Sequence, residues 1–258
     1  MEYKTILTSK KEHIATITLN RPESLNTFSL EMAVELDAAL WEADRDDDVY
    51  VVILNGAGKG FCAGIDVNMM KGHSAAELYW FTGPTQEASL TMSRMVKPVI
   101  ASVHKIAVAN GAGLVASADL AVAARSTRFG TTAVNVGLFC MGPAIPLSKS
   151  VGRKRALELL FTGDIIDAEE ALRIGLINKV VDDDKLEEET WKLAKKIAAK
   201  SPLGVQMGKR TFYACADLEY SKAYDMANGQ FAILGSTEDA TEGIDAFLNR
   251  REPNFKLK

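Results

Sequence analysis

Two glycine-rich segments carry the strongest chemical signal in this sequence. The first, Gly56-Ala-Gly-Lys-Gly-Phe-Cys-Ala-Gly-Ile-Asp66, follows the apolar run 49–54, and the second, Ala109-Asn-Gly-Ala-Gly113, follows another at 99–103. Glycines placed just after strands let backbone N–H groups approach a ligand closely, and a helix that begins there adds the positive end of its dipole. Such N–H groups would bind an oxyanion. The alternative is that the glycines only make turns and tight helix contacts. Neither segment is a phosphate loop or a dinucleotide fingerprint, since GxxxxGK followed by Ser or Thr, and GxGxxG, are both absent.

Titratable side chains are sparse around these segments. Between Ile100 and Leu157 the only carboxylate is Asp119. Asp66 ends the first glycine loop, where a carboxylate most often caps a helix. His104 follows an apolar strand and is a possible base, although a lone histidine is more often a hydrogen-bonded structural residue. His13 and His73 read as exposed, and the three histidines form no zinc-binding cluster, so no metal is expected. Cys140 lies in a turn-like stretch with no declared base beside it and reads as a small packed thiol. Ser29, Ser102 and Ser117 lie outside any GxSxG elbow. The lysines at 192, 195, 196 and 200 read as a solvated helix face rather than an RNA contact.

Elements that could position the two glycine segments are visible in the apolar periodicity. Residues 13–19 alternate as a half-buried strand, 29–43 carry helical spacing behind a Ser29 cap, and 49–54 is a buried strand. Val99–Val103, a helix over 111–118 and a strand over 120–124 repeat the pattern, which predicts an α/β architecture. Helices are expected over 153–161, 167–174 and 184–200. From Ser201 onward only helices are expected, over 203–234 and 237–249. The division is therefore residues 1–200 as the main domain and 201–258 as a helical region packed on it or on a neighbouring subunit.

Composition sets the class. The chain has 258 residues, 25% charged and 47% hydrophobic, with a formal net charge of -4. This predicts a soluble globular protein with no general attraction for nucleic acid or anionic membrane. Three scattered cysteines suggest neither a disulfide framework nor a thiolate cage, and fit a reducing compartment. With no signal-peptide core and no long apolar run, a cytoplasmic location is expected.

Across nearly the whole chain, successive motifs resemble those of the crotonase superfamily, the enoyl-CoA hydratase/isomerase family. They are Asn20-Arg-Pro-Glu-Ser-Leu-Asn26, Gly60-Phe-Cys-Ala-Gly-Ile-Asp66, Lys97-Pro-Val-Ile-Ala-Ser-Val103, Leu160-Phe-Thr-Gly-Asp164, Ala168-Glu-Glu-Ala-Leu-Arg-Ile-Gly-Leu176 and Ala246-Phe-Leu-Asn-Arg-Arg251. The resemblance implies a ββα spiral with a C-terminal helical trimerisation region, an acyl-CoA thioester substrate, no cofactor beyond the coenzyme A of that substrate, and a homotrimer or dimer of trimers. It places the catalytic oxyanion hole at the N–H groups of Ile65 and Asn110. It puts Glu23, Leu25, Ala63, Asp66 and Val67 along the CoA moiety and Arg250 near its phosphates. The acyl pocket would include Gly113, Ala133 and Cys140.

The same resemblance implies a departure. Family hydratases use two glutamates, and the corresponding positions here are Gly113 and Ala133. The two-carboxylate mechanism is thus not expected, and the segment 130–140 resembles a divergent branch of hydratase-domain-containing proteins. An acid or base would have to come from elsewhere, such as His73, Glu77, Tyr79 or Glu87. The expected activity is oxyanion-hole stabilisation of a thioester enolate; the alternative is an acyl-CoA-binding or scaffolding protein without hydratase catalysis.

Overall fold

The computed structural model describes residues 3–258. In chain order the elements are β1 (Ile6–Lys11), β2 (Ile14–Leu19), α1 (Leu30–Arg45), β3 (Val51–Gly56), α2 (Ala75–Thr82), α3 (Pro84–Arg94), β4 (Val99–Val103), β5 (Ile106–Val108), α4 (Asn110–Ser117), β6 (Leu120–Ala124), β7 (Arg128–Gly130), α5 (Met141–Val151), α6 (Arg153–Thr162), β8 (Ile165–Asp167), α7 (Ala168–Arg173), β9 (Lys179–Val181), α8 (Leu186–Ala198), α9 (Pro202–Cys215), α10 (Tyr220–Gly235) and α11 (Glu238–Leu248). The expected α/β class is what the chain adopts.

Six strands form one sheet in the order β1-β2-β3-β4-β6-β9, and β5-β7-β8 form a smaller one. From β2 to β9 the large sheet is parallel, while β1 joins β2 as an antiparallel hairpin. Parallel strands are covered on both faces, which is why β3 and β4 read as unbroken apolar runs. Alternate residues serve the two faces. Val52, Leu54, Ala101 and Val103 belong to the main core with α1, whereas Val51, Ile53, Ile100 and Val122 pack towards Leu186 and Ala194 of α8.

Several expectations need correction. The hairpin partner β1 was not foreseen, because residues 7–11 are all exposed and carry no apolar alternation. The three-residue strands β5, β7 and β8 are too short for a periodic signal. Residues 68–87, expected only as pocket lining, contain all of α2 and the start of α3. Cys140 ends the loop that follows the turn at Gly137 and is buried, but α5 begins directly after it, a helix missed because it contains Pro143 and Pro146. The helix expected over 203–234 is broken at 216–219, where the Glu219 carboxylate accepts from the N–H groups of Ser221 and Lys222 and starts α10.

Ser29 caps α1 as expected, accepting from the Met32 N–H. Beyond Val181 no strand occurs among the described residues. A buried cluster ties the C-terminal helices to the sheet. Asp119, just before β6, accepts from Lys209 Nζ at 2.7 Å, from Tyr213 Oη at 3.0 Å and from the Val99 N–H at 2.7 Å. Asp119, noted as the lone carboxylate of its region, is therefore a clamp for α9.

Candidate active site

The first glycine loop is held by the turn before it. Leu25 and Asn26 both take positive φ, 53° and 56°, a conformation that asparagine tolerates better than most residues. The fully buried Asn26 amide accepts from the Arg21 N–H at 2.8 Å and donates to the carbonyls of Ala57 and Gly60 at 2.9 and 2.8 Å. Arg21 donates from Nη1 to the Thr27 carbonyl, and its Nη2 lies 3.7 Å from Asp66 Oδ2. Asn26 and Arg21 were not singled out from the sequence; an Asn-rich turn ahead of a glycine loop is too common a signal.

This clamp brings five of the expected CoA-side residues together. The Ala63 N–H donates to the Leu25 carbonyl at 3.0 Å, and the Asp66 N–H to the Phe28 carbonyl at 3.2 Å. Glu23 sits in the same turn, with its carboxylate 4.0 Å from Arg21 Nε. Leu25 and Val67 are exposed beside it. Asp66 does cap, accepting from the Asn68 N–H of a short helical turn over Val67–Met70. Arg250 follows α11, exposed and with φ 52°, and among the described residues its side chain makes no hydrogen bond or ion pair.

Ile65 and Asn110 are presented by two segments running side by side. The Val108 N–H donates to the Cys62 carbonyl at 3.0 Å, and the Cys62 N–H to the Ile106 carbonyl at 3.1 Å. A methyl group on Gly64 would stand 2.9 Å from the Ala109 Cβ, and one on Gly111 only 2.2 Å from the Cys62 carbonyl oxygen. Gly64 and Ala109, the residues just before the two expected donors, both have positive φ, 99° and 48°. For alanine that conformation costs on the order of 1–3 kcal/mol, a strain found mainly where backbone direction matters.

The consequence is where the N–H groups point. Residue 65 is bridged to Phe28 through its neighbours: Phe28 donates to the Gly64 carbonyl and accepts from Asp66. Ile65 itself spends no N–H on this ladder. Asn110 is the first residue of α4, where N–H groups lack intrahelical partners. Among the described residues, neither the Ile65 nor the Asn110 N–H has an acceptor, and the Asn110 side-chain amide makes no hydrogen bond. Both loops are anchored by fully buried Phe28 and Phe61.

The neighbouring wall is short of ionisable groups. Gly113 abuts Pro143, whose Cβ and Cγ would each lie 3.0 Å from an added methyl. Ala133 lies half-buried in a turn over Thr132–Val136. Cys140 is buried, and desolvation pushes its thiol up despite a main-chain contact with Ala133. His104 is structural, with Nε2 3.1 Å from the Gly58 carbonyl. Of the alternative acids and bases, Glu77 is committed to a capping box with Ser74 and lies 3.9 Å from His73. Tyr79 stands exposed against Trp80, and Glu87 is exposed in the first turn of α3. Among the described residues no group of three His, Cys, Asp or Glu is placed to hold a metal ion, and no helix is long and apolar enough to cross a membrane.

Comparison with known proteins gives concordant matches. A family model described as enoyl-CoA hydratase/isomerase matches residues 9–258. The chain is 39% identical over 247 residues, 95% of its length and 82% of the other protein's, to the mitochondrial enoyl-CoA hydratase domain-containing protein 3 of Rattus norvegicus. It is 34% identical over 260 residues, the full length of both, to the crotonyl-CoA hydratase of Syntrophomonas wolfei. Among solved structures, an enoyl-CoA hydratase of Mycobacterium smegmatis superposes with a TM-score of 0.94 at 38% identity, covering 98% of this chain and 99% of that one.

Proposed function

The chain belongs to the enoyl-CoA hydratase/isomerase family, and on that premise we propose that it acts on an acyl-CoA thioester by stabilising the thioester enolate between the N–H groups of Ile65 and Asn110. The observation that carries this reading is the pair of N–H groups, without an acceptor among the described residues, on two segments locked side by side, each following a positive-φ residue. A thioester carbonyl oxygen accepting from both becomes more electron-withdrawing. The α-carbon is then acidified and the β-carbon of an enoyl group activated. Each preorganised donor of this kind contributes roughly 3 kcal/mol in the transition state.

Glu23, Leu25, Ala63, Asp66 and Val67 line the edge along which the CoA moiety would lie. In a trimer Arg250 would serve the CoA phosphates from a neighbouring subunit. The acyl group would face Gly113, Ala133 and Cys140. No glutamate stands at 113 or 133, so a two-carboxylate hydration is not proposed. Residues 1–200 are assigned to acyl-CoA binding and 201–258 to oligomerisation as a trimer or dimer of trimers. The free cysteines fit a reducing compartment such as the cytoplasm.

The test is a panel of saturated, unsaturated, dienoyl and branched acyl-CoAs followed by mass spectrometry for added water, lost CO₂, hydrolysis or isomer shift. Turnover of at least one thioester is expected. Absence of any turnover, together with thermal protection by acyl-CoA, would replace the enzyme reading with one of binding alone.

A further inference from the structure

Gly113 lies inside α4 with ordinary helical backbone, where glycine is less favourable than alanine. Its retention has a steric cause. A Cβ there would stand 3.0 Å from Pro143 Cβ, 3.0 Å from Pro143 Cγ and 3.2 Å from Pro143 Cα. Carbon atoms pack comfortably at about 3.5–4.0 Å. None of the three atoms can swing away, because they belong to a ring and to the main chain of α5. At Gly142, the preceding residue, an added Cβ would stand 3.0 Å from Cγ and Cδ of Gln86 on α3. Gly113 and Gly142 thus mark where the start of α5 comes close to α4 and to the exposed Gln86 side chain of α3. Ala133, by contrast, already carries a Cβ and is only half-buried.

We propose that Pro143 is a specificity-determining residue of this pocket: it closes the α4 wall to any side chain at 113, leaving the turn at Ala133 as the place from which a carboxylate can reach the acyl group. The chemical meaning rests on the acyl-CoA reading above, whereas the steric content rests on the Gly113–Pro143 contact alone. The pocket accordingly admits one restored carboxylate and not two. A glutamate at 133 would take a proton from the thioester α-carbon, the C–H electron pair would move into the enolate, and the enolate oxygen would accept from the Ile65 and Asn110 N–H groups. Return of a solvent-exchanged proton regenerates the thioester. Adding water across a double bond needs a second group, for which position 113 has no room.

The steric half is tested by thermal unfolding of Gly113→Ala, Pro143→Gly and the double variant. Gly113→Ala is expected to lower the midpoint by about 2–4 °C, and to lower it less or raise it once Pro143 is glycine. Pro143→Ala, which removes Cγ and Cδ but keeps Cβ, serves as the second background should Pro143→Gly fail to fold, with a smaller relief expected. An equal shift in both backgrounds, or a rise in the parent, overturns the proposal. The chemical half follows α-proton exchange of butyryl-CoA in D₂O by mass spectrometry. Ala133→Glu is expected to gain exchange and Gly113→Glu to gain none. A folded Gly113→Glu that exchanges the α-proton overturns the proposal. Coupling in the thermal cycle without exchange or acyl-CoA protection in Ala133→Glu upholds Pro143's steric role and instead defeats the acyl-CoA reading.

Discussion

Ile65 matters for its main-chain N–H and hardly at all for its side chain. Because the bridge to Phe28 runs through Gly64 and Asp66, proline at 65 removes a donor without breaking a ladder bond. Ile65→Ala is therefore expected to keep acyl-CoA affinity within roughly tenfold, about 1.4 kcal/mol. Ile65→Pro should abolish any oxyanion-dependent turnover while circular dichroism stays native; retained turnover in Ile65→Pro would remove Ile65 from the mechanism. The cysteines give a second residue-scale expectation. Complete burial pushes the Cys62 thiol up to about 12, and burial also raises Cys140, so both stay protonated and shielded at pH 8. Cys215 is only half-buried. Alkylation of the native protein by iodoacetamide at pH 8, mapped by peptide mass, should modify Cys215 first. Faster modification of Cys140 would mean an activated thiol in the pocket.

At the scale of elements, α9 is joined to the sheet through the Asp119 carboxylate, with Lys209 donating as well to the Lys97 carbonyl just before β4. Lys209 is buried, and desolvation lowers its pKa while Asp119 opposes the shift; the same carboxylate raises Tyr213 after burial has done so. Removing Asp119 leaves the buried Lys209 ammonium with only the Lys97 carbonyl, at 2.9 Å, and takes the acceptor from the Tyr213 phenol and the Val99 N–H. Asp119→Ala is expected to cost about 3–5 kcal/mol in denaturant unfolding, the range for breaking a buried pair from one side. Lys209→Met should cost less, since Asp119 keeps Tyr213 and Val99 as donors. A loss under about 1 kcal/mol for Asp119→Ala would show that α9 is held by apolar packing instead.

For the whole molecule, the C-terminal helices leave aromatic surface uncovered. Phe231 and Phe247 are 74% and 83% exposed, with Phe212, Tyr220 and Tyr224 also exposed on the same stretch of chain. An apolar groove of about 360 Å³, lined in part by Leu234, Ile244, Phe247, Leu248 and Phe255, lies there and includes none of the proposed site residues. Apolar patches of this kind are normally covered by a partner. Light scattering after size exclusion is expected to give a mass several times 28.0 kDa. A stable monomer at micromolar concentration would contradict the assembly and leave Arg250 without a route to the CoA edge.

Much of the architecture was readable from residue patterns because parallel strands buried on both faces are apolar throughout and amphipathic helices repeat their apolar positions. Val99–Val103 and Leu120–Ala124 were placed to the residue, and Ser29 was identified as the cap of α1. The two glycine segments were likewise recognisable as loops after strands, since glycine marks close backbone approach wherever it clusters. What residue types alone did not determine was direction and neighbourhood. That Gly64 meets Ala109, that Asn26 fastens one loop to the next, and that Pro143 fills the space beside Gly113 are contacts between residues about 30 to 45 positions apart. Hydrophobic periodicity reports which face of an element is buried; it carries nothing about which atom lies opposite. The oxyanion site is made of main-chain N–H groups that every non-proline residue possesses, so only the tertiary packing of two loops could decide which of them are left free to bind.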